Sequence, residues 1–241
     1  MDNETGTCMN VAVMQPYIFP YLGYFNLIEA SDLFVFYDDV NFVKKGWIHR
    51  NRILLNGNDF LFTIPLDNAS QNKLISDIDT KFDDRWRQKF FKNIRFAYQK
   101  APFYEPVSEL IHSVFVQNDK IALLNIKSIQ AVYDYLGCSF NYYLSSEQFA
   151  DTKGMDRAER LINITKQAGG QKYTNLAGGQ ILYDKSYFAQ KGIELQFLES
   201  ILPAYPQGKQ KDFIKGLSII DILMYNDIDS VKSMFKAYRI F

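Results

Sequence analysis

Histidine and cysteine are scarce in this chain, with two of each among 241 residues. Two cysteines, Cys8 and Cys138, are too few for a disulfide framework, which fits a reducing cytosol. Cys8 reads as part of a flexible tail and Cys138 as a small buried hydrophobe at a helix end. His49 and His112 leave little for a Ser-His-Asp arrangement to recruit, and His112 reads as a structural residue within a helix. No Cys/His metal spacing, phosphate-binding P-loop or nucleophile elbow is present. Net charge is missing too: 27 Lys plus Arg balance 27 Asp plus Glu, so nothing draws the chain to nucleic acid in general. No apolar run approaches the roughly 20 residues that span a bilayer. The acidic start, with Asp2 and Glu4, carries no apolar stretch of a secretory signal. These absences predict a cytoplasmic protein with no membrane span, no metal and no implied cofactor.

Aromatic side chains are abundant: 16 tyrosines and 20 phenylalanines make some rings available to line a surface or a pocket. A hydrophobic fraction of 47% is ample for a core, and the length suits one large domain. Met9 reads as a natural start, with residues 1–8 as an extension. The surplus also leaves room for an interface between copies, so a homo-oligomer is open.

Val11-Ala12-Val13 reads as a buried strand, Tyr21 to Ala30 as a helix and Leu33 to Tyr37 as a second strand. Their short spacing predicts a βαβ unit in a parallel sheet. A further strand is expected over Asp59 to Pro65, with Leu74 to Ile78 pairing nearby. Residues 85–137 turn helical, with Pro106 in a first helical turn and Gly137 past a last one. Strands follow over Ser139 to Leu144 and Glu194 to Leu198, and helices over Met155 to Ala168, Ser218 to Met224 and Ile228 to Phe235. The fold class expected is α/β: a parallel-sheet, Rossmann-like core with a helical insertion at about 85–137 and C-terminal helices. Tyr21-Leu22-Gly23-Tyr24 stands where nucleotidyltransferases carry His-x-Gly-His, with phenols replacing both imidazoles. A neutral phenol cannot neutralise phosphate charge as an imidazolium does, so a shared fold would not bring adenylyl transfer with it.

Four stretches carry residues suited to chemistry. The loop after the first strand holds Gln15, Tyr17, Phe19, Tyr21, Gly23 and Tyr24, between and beside two prolines that stiffen it. It reads either as a pocket, with Gln15 for amide recognition and rings for stacking, or as a rigid turn whose aromatics pack. Asp38 and Asp39 follow the second strand and are candidate general bases, with His49 a third. Lys44, Trp47, Arg50 and Asn51 favour an anionic ligand, the alternative being a solvated loop laced with ion pairs. Lys153 and Arg157 flank a helix start that Asp151 or Thr152 could cap, a place for a phosphate or simply a capped terminus. Asn175, Gly178, Gly179 and Gln180, with Tyr183 and Asp184 after them, form a second candidate ligand loop.

Met14 to Ile28, the run Asp32 to Phe42 and the segment Gly-Trp-Ile-His-Arg-Asn-Arg-Ile resemble the WbqC-like protein family. Phe-Thr-Ile-Pro-Leu, Tyr-Thr-Asn-Leu-Ala-Gly-Gly-Gln-Ile-Leu-Tyr and Leu-Ser-Ile-Ile-Asp-Ile-Leu fit it as well, so the likeness covers a single domain over residues 9–241. The resemblance implies a role near bacterial surface-polysaccharide (O-antigen) gene clusters, as a glycine or other aminoacyl transferase to amino sugars. His49 stands where the family pattern has Asn, so it is not carried over as a family catalyst. The function expected is transfer of an acyl group, such as glycyl, to the amine of a nucleotide-linked amino sugar. The acyl donor is left open between a carrier-protein thioester, an adenylate and an aminoacyl-tRNA. The alternative is a noncatalytic sugar-nucleotide-binding or scaffold protein with a degenerate nucleotidyltransferase-like fold.

Overall fold

The computed structural model describes residues 8–208 and 212–241, so most of the expected N-terminal extension lies outside the described residues. The chain opens with β1 (Asn10–Met14), α1 (Leu22–Glu29) and β2 (Leu33–Phe36), then β3 (Arg50–Leu55) and β4 (Asn58–Thr63). Three helices follow: α2 (Asp84–Tyr98), α3 (Tyr104–Val114) and α4 (Ile121–Tyr135). Next come β5 (Tyr142–Leu144), the short α5 (Ser145–Gln148), α6 (Arg157–Gln167), β6 (Lys172–Leu176) and α7 (Lys185–Gln190). The chain closes with β7 (Glu194–Ser200), α8 (Ile219–Tyr225), α9 (Ile228–Phe235) and β8 (Tyr238–Ile240).

Six strands form one sheet in the order β5-β2-β1-β6-β7-β8, parallel except for β8, which runs antiparallel along β7. The runs VAV and LFVF are apolar throughout because both faces of a parallel sheet are covered. Val11, Val13, Leu33 and Val35 pack with Leu161 and Ile164 of α6 and Phe188 of α7. Ala12, Phe34 and Phe36 point the other way, into a larger core with α1, α4, α8 and α9. The fold is therefore α/β with helices on both faces, compatible with a Rossmann-like core. Residues 84–135 share the larger core rather than holding one of their own.

β1 sits at the middle of the strand order, and the chain leaves it first toward β2 and β5, then crosses by α6 to β6 and β7. That reversal is a topological switch point, where open α/β sheets have a crevice beyond the strands' carboxyl ends. The loop from Gln15 to Tyr21 and the loop from Ala177 to Asp184 lead out of the two flanking strands there.

Several expectations are corrected. The strand expected over residues 59–65 is β4, Asn58–Thr63, which ends before Ile64 and pairs with β3 in a separate two-stranded sheet. Leu74 makes only an isolated bridge to Asn41 before a 3-10 turn over Ile75–Asp77. α3 starts two residues before Pro106, which stays in the first turn where its missing N–H costs nothing. α6 is capped by Asp156, whose side chain accepts from the Ala158 N–H, and not by Asp151 or Thr152. Cys138 is exposed, because Gly137 at φ +64° turns the chain outward beyond α4.

Candidate functional site

The loop after β1 has its conformation imposed from outside. Phe19 has a left-handed backbone, φ +39°, which costs a non-glycine residue about 1–3 kcal/mol. Side chains from distant elements hold it. The Phe19 N–H donates to Ser128 Oγ of α4 at 3.0 Å. Asn51 Nδ2 of β3 donates to the carbonyls of Ile18 at 3.0 Å and Phe19 at 2.7 Å. Ser218 Oγ, the cap of α8, donates to the same Phe19 carbonyl at 2.7 Å. Asn125 Nδ2 of α4 spans the carbonyls of Pro16 at 2.9 Å and Ile48 at 2.7 Å.

This clamp sorts the loop's side chains. Phe19 and Tyr24, expected as pocket-lining rings, are instead fully buried core. The Phe19 ring packs 6.1 Å from Phe115, and the Tyr24 hydroxyl donates to the Gln15 carbonyl at 2.9 Å. Gln15, Tyr17 and Tyr21 are half-buried and remain accessible. The Tyr21 ring lies over Gly23, where an added Cβ would stand 2.5 Å from Tyr21 Cε2. Burial, reinforced by the neighbouring Tyr17 phenol, pushes Tyr21 up to about 12, so at neutral pH it is a hydrogen-bond donor rather than a phenolate.

Asp38 and Asp39 lie behind the carboxyl end of β2, 3% and 5% exposed. Each of their four carboxylate oxygens has a donor. Asp38 takes the Ser146 N–H at 3.0 Å and Ser146 Oγ at 2.6 Å. Ser145 Oγ lies 3.1 Å from Asp38 and 2.5 Å from Asp39. Arg160 Nη2 of α6 donates to Asp39 at 2.6 Å, and its Nε donates to Thr152 Oγ1 at 3.1 Å. A general base must reach its substrate's proton, and these carboxylates are enclosed.

His49 packs 5.1 Å from the Phe42 ring with Nδ1 buried and without a hydrogen-bond partner among the described residues. Burial first, and then the Arg50 charge, push its pKa down to about 4, so the ring is neutral near pH 7. Arg50 folds back onto the Gly46 carbonyl at 3.0 Å and onto that of Lys45. The Arg50 and Arg52 guanidiniums lie 5.9 and 5.5 Å from the Trp47 ring. Lys44 is exposed. Among the described residues no hydrogen bond or ring contact joins Lys44, Trp47 or Arg50 to Tyr17, Tyr21 or the glycine loop. Asn51, expected to contact ligand, is 4% exposed and serves the loop's backbone instead.

On the other side of the switch point, Asn175 is buried and Oδ1 accepts from the Leu176 N–H at 2.8 Å. Its Nδ2 closes on Gly179, where a Cβ would stand 2.9 Å away, while Gly178 and Gln180 are exposed. Lys153 and Arg157 are exposed ahead of and at the start of α6. The switch point thus brings together the β1 loop, the β6 loop and the start of α6, and it leaves the β3–β4 residues as a separate group. Ser128, Asn125 and Ser218 escaped the sequence reading because the loop groups they bind, the Phe19 N–H and the Pro16 and Phe19 carbonyls, are main-chain groups over 100 residues away. Arg160 left a signal: it falls on the apolar stripe Leu161-Ile164-Thr165-Ala168, where an arginine calls for a buried partner.

This is an α/β protein with helices on both faces of a mostly parallel sheet and a tyrosine-bearing loop at its switch point. The chain belongs to the WbqC-like protein family, whose model matches residues 15–233. It is 27% identical over 224 residues to the uncharacterized protein Rv1507c of Mycobacterium tuberculosis, covering 88% of this chain and 92% of that one. No solved structure matches it significantly. No helix among the described residues is long and apolar enough to cross a membrane.

Proposed function

We propose that the switch-point crevice binds a nucleotide-linked amino sugar and that the protein transfers an acyl group, glycyl in the simplest case, to the sugar's amine, in the cytoplasm, as a step in surface-polysaccharide assembly. The observation that supports this reading is the pair of βα loops leaving neighbouring strands β1 and β6 at the switch point, one held rigid and bearing the half-buried Tyr17 and Tyr21, the other bearing the exposed Gly178. Rigid aromatic faces bind a base or sugar at little entropic cost. Arg157 and Lys153 supply charge for a diphosphate.

In such a transfer the amine nitrogen attacks the acyl carbon, and the bond from that carbon to its carrier breaks. The carrier leaves with the electron pair, and the ammonium proton passes to a base. The donor is a thioester, an acyl adenylate or an aminoacyl ester. Main-chain N–H groups about Gly178 and Gly179 or the Gln15 amide would meet the oxyanion.

A second reading rests on a specific observation: Asp38 and Asp39 are enclosed, and His49 is too weak a base to hold a proton near pH 7. It makes the protein a sugar-nucleotide-binding or scaffold component on a degenerate nucleotidyltransferase-like core. Incubating the protein with nucleoside diphosphate-linked amino sugars and each donor class, and weighing the products, separates the two. A sugar nucleotide heavier by one acyl residue supports transfer. Tight binding with no mass change under any donor favours the second reading.

A further inference from the structure

On the sheet face covered by α6 and α7 lies a cluster of which the proposed function uses only Arg157. The Arg160 guanidinium, neutralised by Asp39, stacks 4.7 Å from the Tyr37 ring and fixes it at the end of β2. Tyr183 follows β6, and its ring meets Phe188 at 6.0 Å, which in turn stacks on Tyr173 at 5.7 Å. Glu159 ties the two helices by taking the Tyr187 hydroxyl and, at 2.6 Å, the Lys191 ammonium. Arg157, one turn before Arg160, forms no ion pair or hydrogen bond among the described residues. Tyr37, Tyr183 and Ala158, the residue after Arg157, pack on the same buried cluster beneath α6. Burial raises both phenols, and the Arg157 charge opposes that rise at Tyr183 and, after Arg160, at Tyr37. The opposing acid is Asp156, whose carboxylate already accepts the Ala158 N–H at 3.1 Å.

We propose that Arg157, Tyr37 and Tyr183 form an anion subsite that takes the diphosphate of the bound molecule. Tyr37 stands directly after β2 and Tyr183 in the loop after β6, the two strands that flank β1. A guanidinium with two phenol donors suits an elongated dianion better than a lone carboxylate. Guanidinium and phosphate pair through a fork of parallel hydrogen bonds, and each phenol adds one donor. The inference rests on the sugar-nucleotide reading for what is attached to the diphosphate, and on the cluster alone for the anion.

Calorimetric titration with inorganic diphosphate, and separately with a nucleoside diphosphate-linked amino sugar, tests it on the intact protein. Arg157→Gln and Tyr183→Phe are compared with Lys166→Gln, which removes one charge from the far end of the same helix. Arg157→Gln is expected to weaken diphosphate binding about tenfold or more and Tyr183→Phe a few-fold, with Lys166→Gln near wild type. Wild-type protein that ignores diphosphate, or Arg157→Gln binding no worse than Lys166→Gln, overturns the subsite. Sugar-nucleotide binding untouched by Arg157→Gln also overturns it, while leaving the proposed function standing. Arg157-dependent diphosphate binding without any gain from the attached sugar keeps the subsite and removes the amino-sugar reading.

Discussion

The side-chain amide of Asn51 reaches the carbonyl of Phe19 at 2.7 Å and joins a β3 residue to the left-handed turn beyond β1. The same nitrogen holds the Ile18 carbonyl, and its own Oδ1 takes the Arg52 N–H at 2.8 Å. Segments far apart in sequence thus make one clamp on a turn that would not keep its shape alone. Asn51→Ala is expected to destabilise the fold by about 2–3 kcal/mol, since three hydrogen bonds go and the buried Ile18 carbonyl loses its donor. Urea unfolding measures it, and a loss under about 0.5 kcal/mol would remove the clamp from the account.

Gly23→Ala separates site from fold. Alanine suits a helix better than glycine by up to about 1 kcal/mol, but its methyl takes the place of the Tyr21 ring edge. That ring is half-buried and can swing outward. The melting temperature should therefore change little while ligand affinity falls. A variant that unfolds early would instead show that Tyr21 is packed for stability.

The Arg160–Asp39 pair is buried on both sides, at 5% and 4% side-chain exposure. Arg160→Met leaves an unpaired carboxylate behind β2, and breaking a buried pair from one side costs about 3–5 kcal/mol. Combining it with Asp39→Leu should recover much of that loss. Additive losses in the double variant, read by denaturant unfolding, would show the two side chains acting independently.

His49 makes stability depend on pH in a stated direction. Its folded-state pKa, about 4, lies below the ordinary 6.5, so between those values the unfolded chain binds more protons. The contribution is full above pH 6.5 and is lost as pH falls toward 4. His49→Asn removes this slope, and the difference between the two unfolding curves isolates it. With two histidines in the chain, proton NMR of the imidazoles checks the value directly: one ring should titrate near 4. A His49 titration at 6 or above would contradict the buried, cation-flanked setting.

Much of the fold was legible because local patterns carried it. VAV and LFVF are buried parallel strands, and Gly137 and Gly169, both at positive φ, end helices where the sequence placed those ends. β3 was hidden because Arg50-Asn51-Arg52 reads as a polar loop. Only pairing with β4 and burial of Asn51 under the Phe19 turn make it a strand. β8 is three residues long and exists through its pairing with β7. In the Pro-rich loop, whose rings all read alike in sequence, Gln15, Tyr17 and Tyr21 keep partial exposure whereas Phe19 and Tyr24 turn inward. Which ring faces out depends on the φ of one residue, and that angle is set by Ser128, Asn51 and Ser218 from elsewhere in the chain.

The most direct test of the account is a calorimetric titration of the intact protein with nucleoside diphosphate-linked amino sugars, run in parallel on Gly23→Ala. The crevice reading predicts saturable binding of one molecule per chain in the wild type and at least about tenfold weaker binding in the variant, a difference of about 1.4 kcal/mol. Wild-type protein that binds none of these sugars, or a variant that binds them equally well, would contradict it.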